Sequence, residues 1–323
     1  MNIGYIGGGP ISNFHLPALI HNNFNVQSIG STEGSERCLN TASRFNLTKA
    51  YCKGGWEEVI DNEVDAFCIC IDTSATPEIL LKTLDKNKPI LVEKPIGWKL
   101  NQLESISRHP NVNNLFVAYN RRFYDCVQIL KSKCENSEGG TININIPDSI
   151  PGIRQFLVNG CHMIDLLRYL AGDFLIKSKS IRFSENTKDI KSISALCFNE
   201  KWDINLIAHS LIPSNFCITV NTEKQVYELK PIEKLNLYKG LEILEPTQEE
   251  PLRRYNPKII KSFVETSKYK PGFDLMYKNF KTFIKQGVSD IYCSFDDAQK
   301  TLETCWDLID SEISNEFSDF HKK

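Results

Sequence analysis

The sequence predicts an α/β fold, with a parallel sheet in its first third and antiparallel strands in its second half. Two observations carry this. Short apolar runs alternate with helical patterns of about ten residues along positions 2–92, which implies right-handed crossovers between parallel strands. Beyond residue 190 the strand patterns follow one another with no helix between them, as in a meander.

Taken in order, a strand is expected over 2–6, a helix over 11–21, a strand over 25–30 and a helix over 36–45. The run AFCICI at 66–71 is continuously apolar, as a strand buried on both faces requires. A helix follows over 77–86, opened by Pro77, because the first turn does not use the donor that proline lacks. A strand over 89–92 closes this part. In the second half, 192–198, 202–209 and 216–221 read as antiparallel strands, continued by 223–226 and 226–229. Residues 233–269, rich in charge and proline, read as a loop crossing the face of the site. The Arg253, Arg254 and Tyr255 of that loop read by default as solvated charge, and the closing FSDFHKK as a frayed tail.

A chain of 323 residues with 41% hydrophobic composition is long enough for two cores. Its net charge of −2 gives no electrostatic reason to bind nucleic acid or anionic membrane, and suits small neutral or anionic ligands. No apolar run approaches the roughly 18 residues of a membrane span, and the N-terminus lacks a signal pattern. A cytoplasmic protein is expected. The 11 cysteines are scattered, and Cys68 and Cys70 share one strand face rather than forming a metal or redox motif. Reduced thiols and no metal site are therefore expected.

Between the first strand and first helix stands GYIGGGPIS, in which Gly7 and Gly9 take the first two glycine positions of a dinucleotide fingerprint and Ser12 the third. Pro10 and Ile11 complete the turn, whose helix start favours a pyrophosphate. At the end of the second strand, where an acidic residue would grip the ribose of NAD, the sequence has Ser31 and Thr32. Arg37, a turn into the next helix, either receives a 2′-phosphate with them or is a solvated helix residue. The cofactor is read as NAD(P), with NADP favoured.

Two further constellations carry chemistry. In KPILVEKPIG, Lys94 follows a strand, where its ammonium can polarise a substrate oxygen. In NGCHMIDLLRYLAGD, His162, Asp165 and Tyr169 fall on one helix face while Met163, Ile164, Leu167 and Leu170 form another. A carboxylate one turn from a histidine orients it and raises its basicity, which suits a general base.

At these residues the sequence resembles the Gfo/Idh/MocA family of glucose-fructose oxidoreductase and inositol dehydrogenase. The stretches IGYIGGGPISNFHLPAL, VDAFCICIDTSATPE, PILVEKPIG and GCHMIDLLRYLAG occur in the family's order, joined by VAYNRRF and a family-like C-terminal end. The resemblance implies a Rossmann domain over 1–118 and a substrate-binding and oligomerisation α/β domain over 119–323. The second carries a large, mostly antiparallel open sheet, and the C-terminal helix packs back on the first domain. It implies hydride transfer between a nicotinamide cofactor and a sugar, cyclitol or sugar nucleotide, as in bacterial surface-polysaccharide biosynthesis, by a homodimer or homotetramer. Lys94, His162 and Asp165 match the family's catalytic positions. Asp72, Thr73, Glu93 and Pro95 join the cofactor set, and Asn120, Arg122, Arg154 and Tyr169 the substrate set.

One departure is visible. Many active members have an aspartate four residues before the histidine, where this chain has Val158, and PGIRQF replaces a glycine run just upstream. A non-catalytic dinucleotide-binding regulatory or scaffold protein of the same fold is therefore the alternative reading.

Overall fold

The computed structural model describes residues 1–148, 152–184 and 189–309, in two compact units. One unit comprises Met1–Phe123 with the described residues from Ser267 onward, and the other Tyr124–Thr266. The sequence reading sets its boundary at 118/119 and returns only the C-terminal helix to the first domain, whereas the first unit takes back the described chain from Ser267 onward.

The first unit opens as β1 (Asn2–Ile6), α1 (Ser12–His21), β2 (Asn25–Gly30), α2 (Glu36–Arg44), β3 (Ala50–Tyr51) and α3 (Trp56–Asp61). It continues as β4 (Ala66–Ile69), α4 (Thr76–Leu84), β5 (Ile90–Val92), α5 (Glu104–Ser107) and β6 (Leu115–Val117). All six strands are parallel, in the order β3-β2-β1-β4-β5-β6. The order reverses direction between β1 and β4, and ligands of such sheets bind outside the carboxyl ends of the strands at that point. β4 is buried at every position, as its unbroken apolar run requires. The short β3, α3 and β6 are additions to the expected elements, too brief to show a period.

The second unit contains α6 (Asp125–Glu135), β7 (Gly140–Asp148), α7 (Ile153–Gln155), α8 (Cys161–Ala171) and then β8 (Leu175–Phe183), β9 (Ile190–Phe198) and β10 (Trp202–Ser210). β11 (Cys217–Asn221), β12 (Val226–Leu229), β13 (Lys234–Leu244) and β14 (Arg254–Val264) complete an eight-stranded sheet in the order β14-β13-β12-β11-β7-β10-β9-β8. Every pairing is antiparallel except β7 with β10. One face packs on α6 and α8, and alternation along β10 buries Trp202, Ile204 and Leu206 while exposing Asp203, Asn205 and Ile207.

Two expectations are corrected here. Residues 233–269 are not a loop: most of them form the β13–β14 hairpin, and Pro257 is tolerated because β14 is the edge strand. Residues 222–225 are a turn closed by Thr222 and Gln225 rather than the start of a strand. Pro151 and the closing FSDFHKK lie outside the described residues.

The first unit is completed by α9 (Phe273–Gln286) and α10 (Phe295–Ile309). Phe273, Tyr277, Phe280 and Phe283 of α9 join Tyr5, Leu16, Leu19 and Phe116 in a single buried cluster. Burying side chains of this size stabilises by roughly 1.5–3 kcal/mol each.

Candidate functional site

A cleft of about 630 Å³ lies at the carboxyl ends of β1, β2 and β4. The glycine turn forms its floor. Gly7 has φ +123° and donates its N–H to the Gly30 carbonyl at 2.8 Å, and a side chain there would collide with the Cys70 carbonyl. Gly9 faces open space, with no atom within 4 Å of a built Cβ. One glycine is thus required by the turn, and the other leaves room for a ligand to approach the backbone. Pro10 and Ile11 line the cleft, and Ser12 is buried at the first turn of α1. These residues fit a dinucleotide.

Ser31, Thr32 and Arg37 all line the far end of the cleft, Arg37 exposed on α2. The Ser31 hydroxyl donates to the Glu33 carbonyl at 2.6 Å, so it braces the loop. Glu33, passed over in the sequence reading, also lines the cleft. Asp72 lines its opposite side and accepts the Ser74 N–H at 3.0 Å, while Thr73 is buried beside it.

The loop after α2's partner strand corrects the cysteine reading. Ser35 N–H donates to the Cys52 carbonyl at 2.9 Å, bringing β3's end against the start of α2, and Cys38 and Cys52 form a disulfide with Cα atoms 5.5 Å apart. Their separation of 14 residues matches no motif, so only the fold reveals the pair. Cys68, Cys70, Cys126, Cys134, Cys197 and Cys217 are free thiols.

After β5 comes the Lys94–Pro95 peptide, which is cis. Glu93 is fixed on both carboxylate oxygens: Oε2 accepts the Lys94 N–H at 3.1 Å, and Oε1 lies 2.7 Å from His15 Nε2. His15 is fully buried on α1, with its Nδ1 2.7 Å from the Tyr277 hydroxyl. Burial alone would push this imidazole down, but Cys70 and the Glu93 carboxylate facing it hold its pKa up at about 10. Burial would likewise raise Glu93, yet the His15 contact holds it below the ordinary carboxyl value. A protonated imidazole donating to Tyr277 and Glu93 thus anchors the backbone that carries Lys94.

Asn120 donates to the Pro271 carbonyl at 3.2 Å, and Arg122, buried, donates to the Tyr292 carbonyl at 2.9 Å and pairs with Asp297 at 3.3 Å. Both expected substrate residues therefore tie the end of β6 to the α9–α10 region. Their neighbour Arg121 was passed over, although its charge acts on Lys270.

In the second unit, His162 and Asp165 occupy successive turns of α8 and are buried, at 8% and 0% exposure. A π-turn over Phe156–Gly160 leads into the helix, and Val158 lies within it. π-Turns are frequent at functional sites. Asp148, at the end of β7, accepts from Gln155 Nε2 at 3.0 Å and from Asn159 Nδ2 at 3.3 Å, so a carboxylate reaches this turn from a strand. No motif marks Asp148 in the sequence. Arg154 is exposed on α7. Tyr169 bonds through its hydroxyl to Gln128 of α6 at 3.0 Å, with Lys131 stacked over its ring at 5.1 Å.

Residues 1–120 match the family described as "Oxidoreductase family, NAD-binding Rossmann fold". These first 120 residues are similar to members of the Gfo/Idh/MocA family. Among curated proteins, inositol 2-dehydrogenase 1 of Paenarthrobacter aurescens (strain TC1) is 24% identical over 209 residues, 59% of this chain and 60% of that one. The match thus spans less than two thirds of that relative. Among solved structures, a dehydrogenase from Clostridium difficile superposes with TM-score 0.77 at 17% identity, covering 96% of this chain and 99% of that one. Levoglucosan dehydrogenase in complex with NADH and levoglucosan superposes at TM-score 0.74 and 15% identity, covering 98% of each chain. At such identities these likenesses establish a shared fold. The matched residues include the glycine turn and the parallel sheet beneath it.

Among the described residues no helix is long and apolar enough to cross a membrane, and no group of three or more His, Cys, Asp or Glu side chains is placed to hold a metal.

Proposed function

We propose that this protein is an NAD(P)-dependent oxidoreductase that transfers a hydride to or from a carbon of a sugar, cyclitol or sugar nucleotide. The observation that carries it is the open backbone at Gly9 beside the start of α1, in a cleft flanked by Thr32, Arg37 and Asp72. A bound nicotinamide dinucleotide supplies or accepts the hydride. Gly7, Gly9, Pro10, Ile11 and Ser12 hold its phosphates, and Thr32 and Arg37 favour a 2′-phosphate and hence NADP(H).

Lys94, held in place by the Glu93–His15 pair, polarises the substrate oxygen. His162 takes or returns the hydroxyl proton, and Asp165 orients it. Asn120, Arg122, Arg154 and Tyr169 were expected to touch substrate; the bonds of Asn120, Arg122 and Tyr169 suit them to framing it. The names of the inositol and levoglucosan dehydrogenases support a polyol or sugar substrate. The proposal extends to a cytoplasmic homo-oligomer serving surface-polysaccharide synthesis.

The test is a titration of the intact protein with NADH and NADPH, followed by absorbance assays of the reduced cofactor over a panel of cyclitols, sugars and nucleotide sugars. NADPH is expected to bind at least as tightly as NADH, and Arg37→Ala to weaken NADPH alone, by about tenfold. Failure to bind either dinucleotide would overturn the function.

A further inference from the structure

A pyrophosphate carries about two negative charges, against which the start of a helix offers roughly half a positive one. Of the described side chains lining the dinucleotide cleft, Arg37 alone is cationic, and it stands at the far end with Ser31 and Thr32. The glycine-turn end of the cleft therefore lacks a full positive charge among its lining residues. A lysine that no motif marks, Lys270, stands at its edge.

Lys270 belongs to the same unit as the cleft, in the segment leading into α9. Its backbone is fixed: Phe273 N–H donates to the Lys270 carbonyl at 3.1 Å, Asn120 Nδ2 donates to the Pro271 carbonyl at 3.2 Å, and Phe273 is buried in the core cluster. The ammonium stands 4.6 Å from the centre of the Phe14 ring and 5.4 Å from that of Phe273, both within cation–π range. Phe14 lines the cleft from the first turn of α1 and is 44% exposed. Aromatic faces attract the charge but offer no lone pair to its three N–H donors. No hydrogen bond or ion pair joins this ammonium to another described residue. Glu93 attracts it from beyond ion-pairing distance, and that carboxylate already faces His15 at 2.7 Å. Two rings thus place a cation and leave its donors for another acceptor.

We propose that Lys270 is a cofactor-binding residue that donates to the pyrophosphate of the bound dinucleotide, beside the backbone N–H groups at the start of α1. The inference rests on the dinucleotide reading above and deepens it, by adding a cation brought from near the far end of the chain. Phe14 sits one turn beyond the Gly7–Gly9 backbone that receives the pyrophosphate. Ser31, Thr32 and Arg37 follow β2, on the opposite side of β1 from β4 and β5. The pyrophosphate is thus the better partner for this ammonium than a 2′-phosphate at the ribose end.

The test titrates the full chain with NADH, NADPH and ADP-ribose by calorimetry, at low and high salt. Lys270→Met should weaken all three by about tenfold, because all three carry the pyrophosphate, and the loss should shrink in high salt. Lys270→Arg should keep most of the wild-type affinity. Unchanged binding by Lys270→Met overturns the proposal. A loss confined to NADPH also overturns it, since the ammonium would then serve the 2′-phosphate. So does a loss that Lys270→Arg does not restore and salt does not reduce, because the lysine would then act through its packing on Phe14 and not through its charge. Failure of the wild type to bind any of the three overturns the dinucleotide reading first and this inference with it, a result seen without any variant.

Discussion

His162 and Lys94 are the side chains on which turnover should depend. His162→Ala should lower the rate by roughly a hundredfold or more, in the range for a lost general base. Lys94→Ala should act similarly while also weakening substrate, and Asp165→Asn more mildly, since it removes orientation and not the base. Steady-state kinetics on the folded variants check this, and a wild-type rate from His162→Ala would place the base elsewhere. The buried His15–Glu93 pair makes a second, pH-resolved claim. The Glu93 carboxyl is lowered from 4.5, so its contribution to stability is present above that value and is lost as pH falls through the folded pKa. The His15 imidazole is raised from 6.5 to about 10, so its contribution is full below 6.5 and is lost as pH rises toward 10. The thermal midpoint of wild type should therefore exceed that of His15→Asn most between about pH 5 and 6.5, and the gap should close toward either extreme. A gap that stays constant from pH 4 to 10 would show that His15 is neutral in the fold. Gly7 was legible in the sequence because the turn between β1 and α1 requires it, and Lys94 and His162 are candidates there because each sits in a local pattern with a mechanism. The role of His15 was not, since its partners stand 78 and 262 residues away.

Among the elements, the alternation of strands and helices to residue 92 was legible because each strand there is short, apolar and bounded by a turn. The β13–β14 hairpin was not. Its strands carry Lys, Glu and Pro on exposed positions, and Leu241, Ile243, Tyr255 and Ile259 are exposed as well, so neither face shows a buried stripe to read. The arm formed by residues 239–244 and 254–258 is paired only with itself, because β12 ends at the partner of Tyr238. The Cys38–Cys52 bond clamps the start of α2 to the end of β3, next to Ser35 and Arg37 of the cleft. It closes a loop of about 15 residues, which contributes about 3 kcal/mol in the chain-entropy account. Dithiothreitol, or Cys52→Ser, should lower the thermal midpoint and loosen the dinucleotide by a few fold. Unchanged melting in reductant would mean that the clamp adds nothing to the first unit.

For the molecule as a whole, the eight-stranded sheet presents Leu196, Phe198 and Ile207 on the face opposite α6 and α8, beside Asn143 and Asn205. A contiguous face of this kind is rarely left in water. Light scattering at micromolar concentration should give a dimer or a tetramer, and Leu196→Asp with Ile207→Asp should give a monomer that still binds NADH. A wild-type monomer would refute the assembly. The first unit is also discontinuous along the chain, from Met1–Phe123 and again from Ser267, with the whole of Tyr124–Thr266 between. During synthesis, Tyr277 leaves the ribosome 262 residues after the His15 it bonds. At typical elongation rates that is an interval of roughly ten to fifty seconds. Until α9 is made, Tyr5, Leu16 and Phe116 lack the side chains that complete their cluster, whereas the second unit has all its strands as soon as Val264 is made. The nascent chain therefore exposes its nucleotide half to chaperones and proteases for longer than its sheet half, although that half is made first.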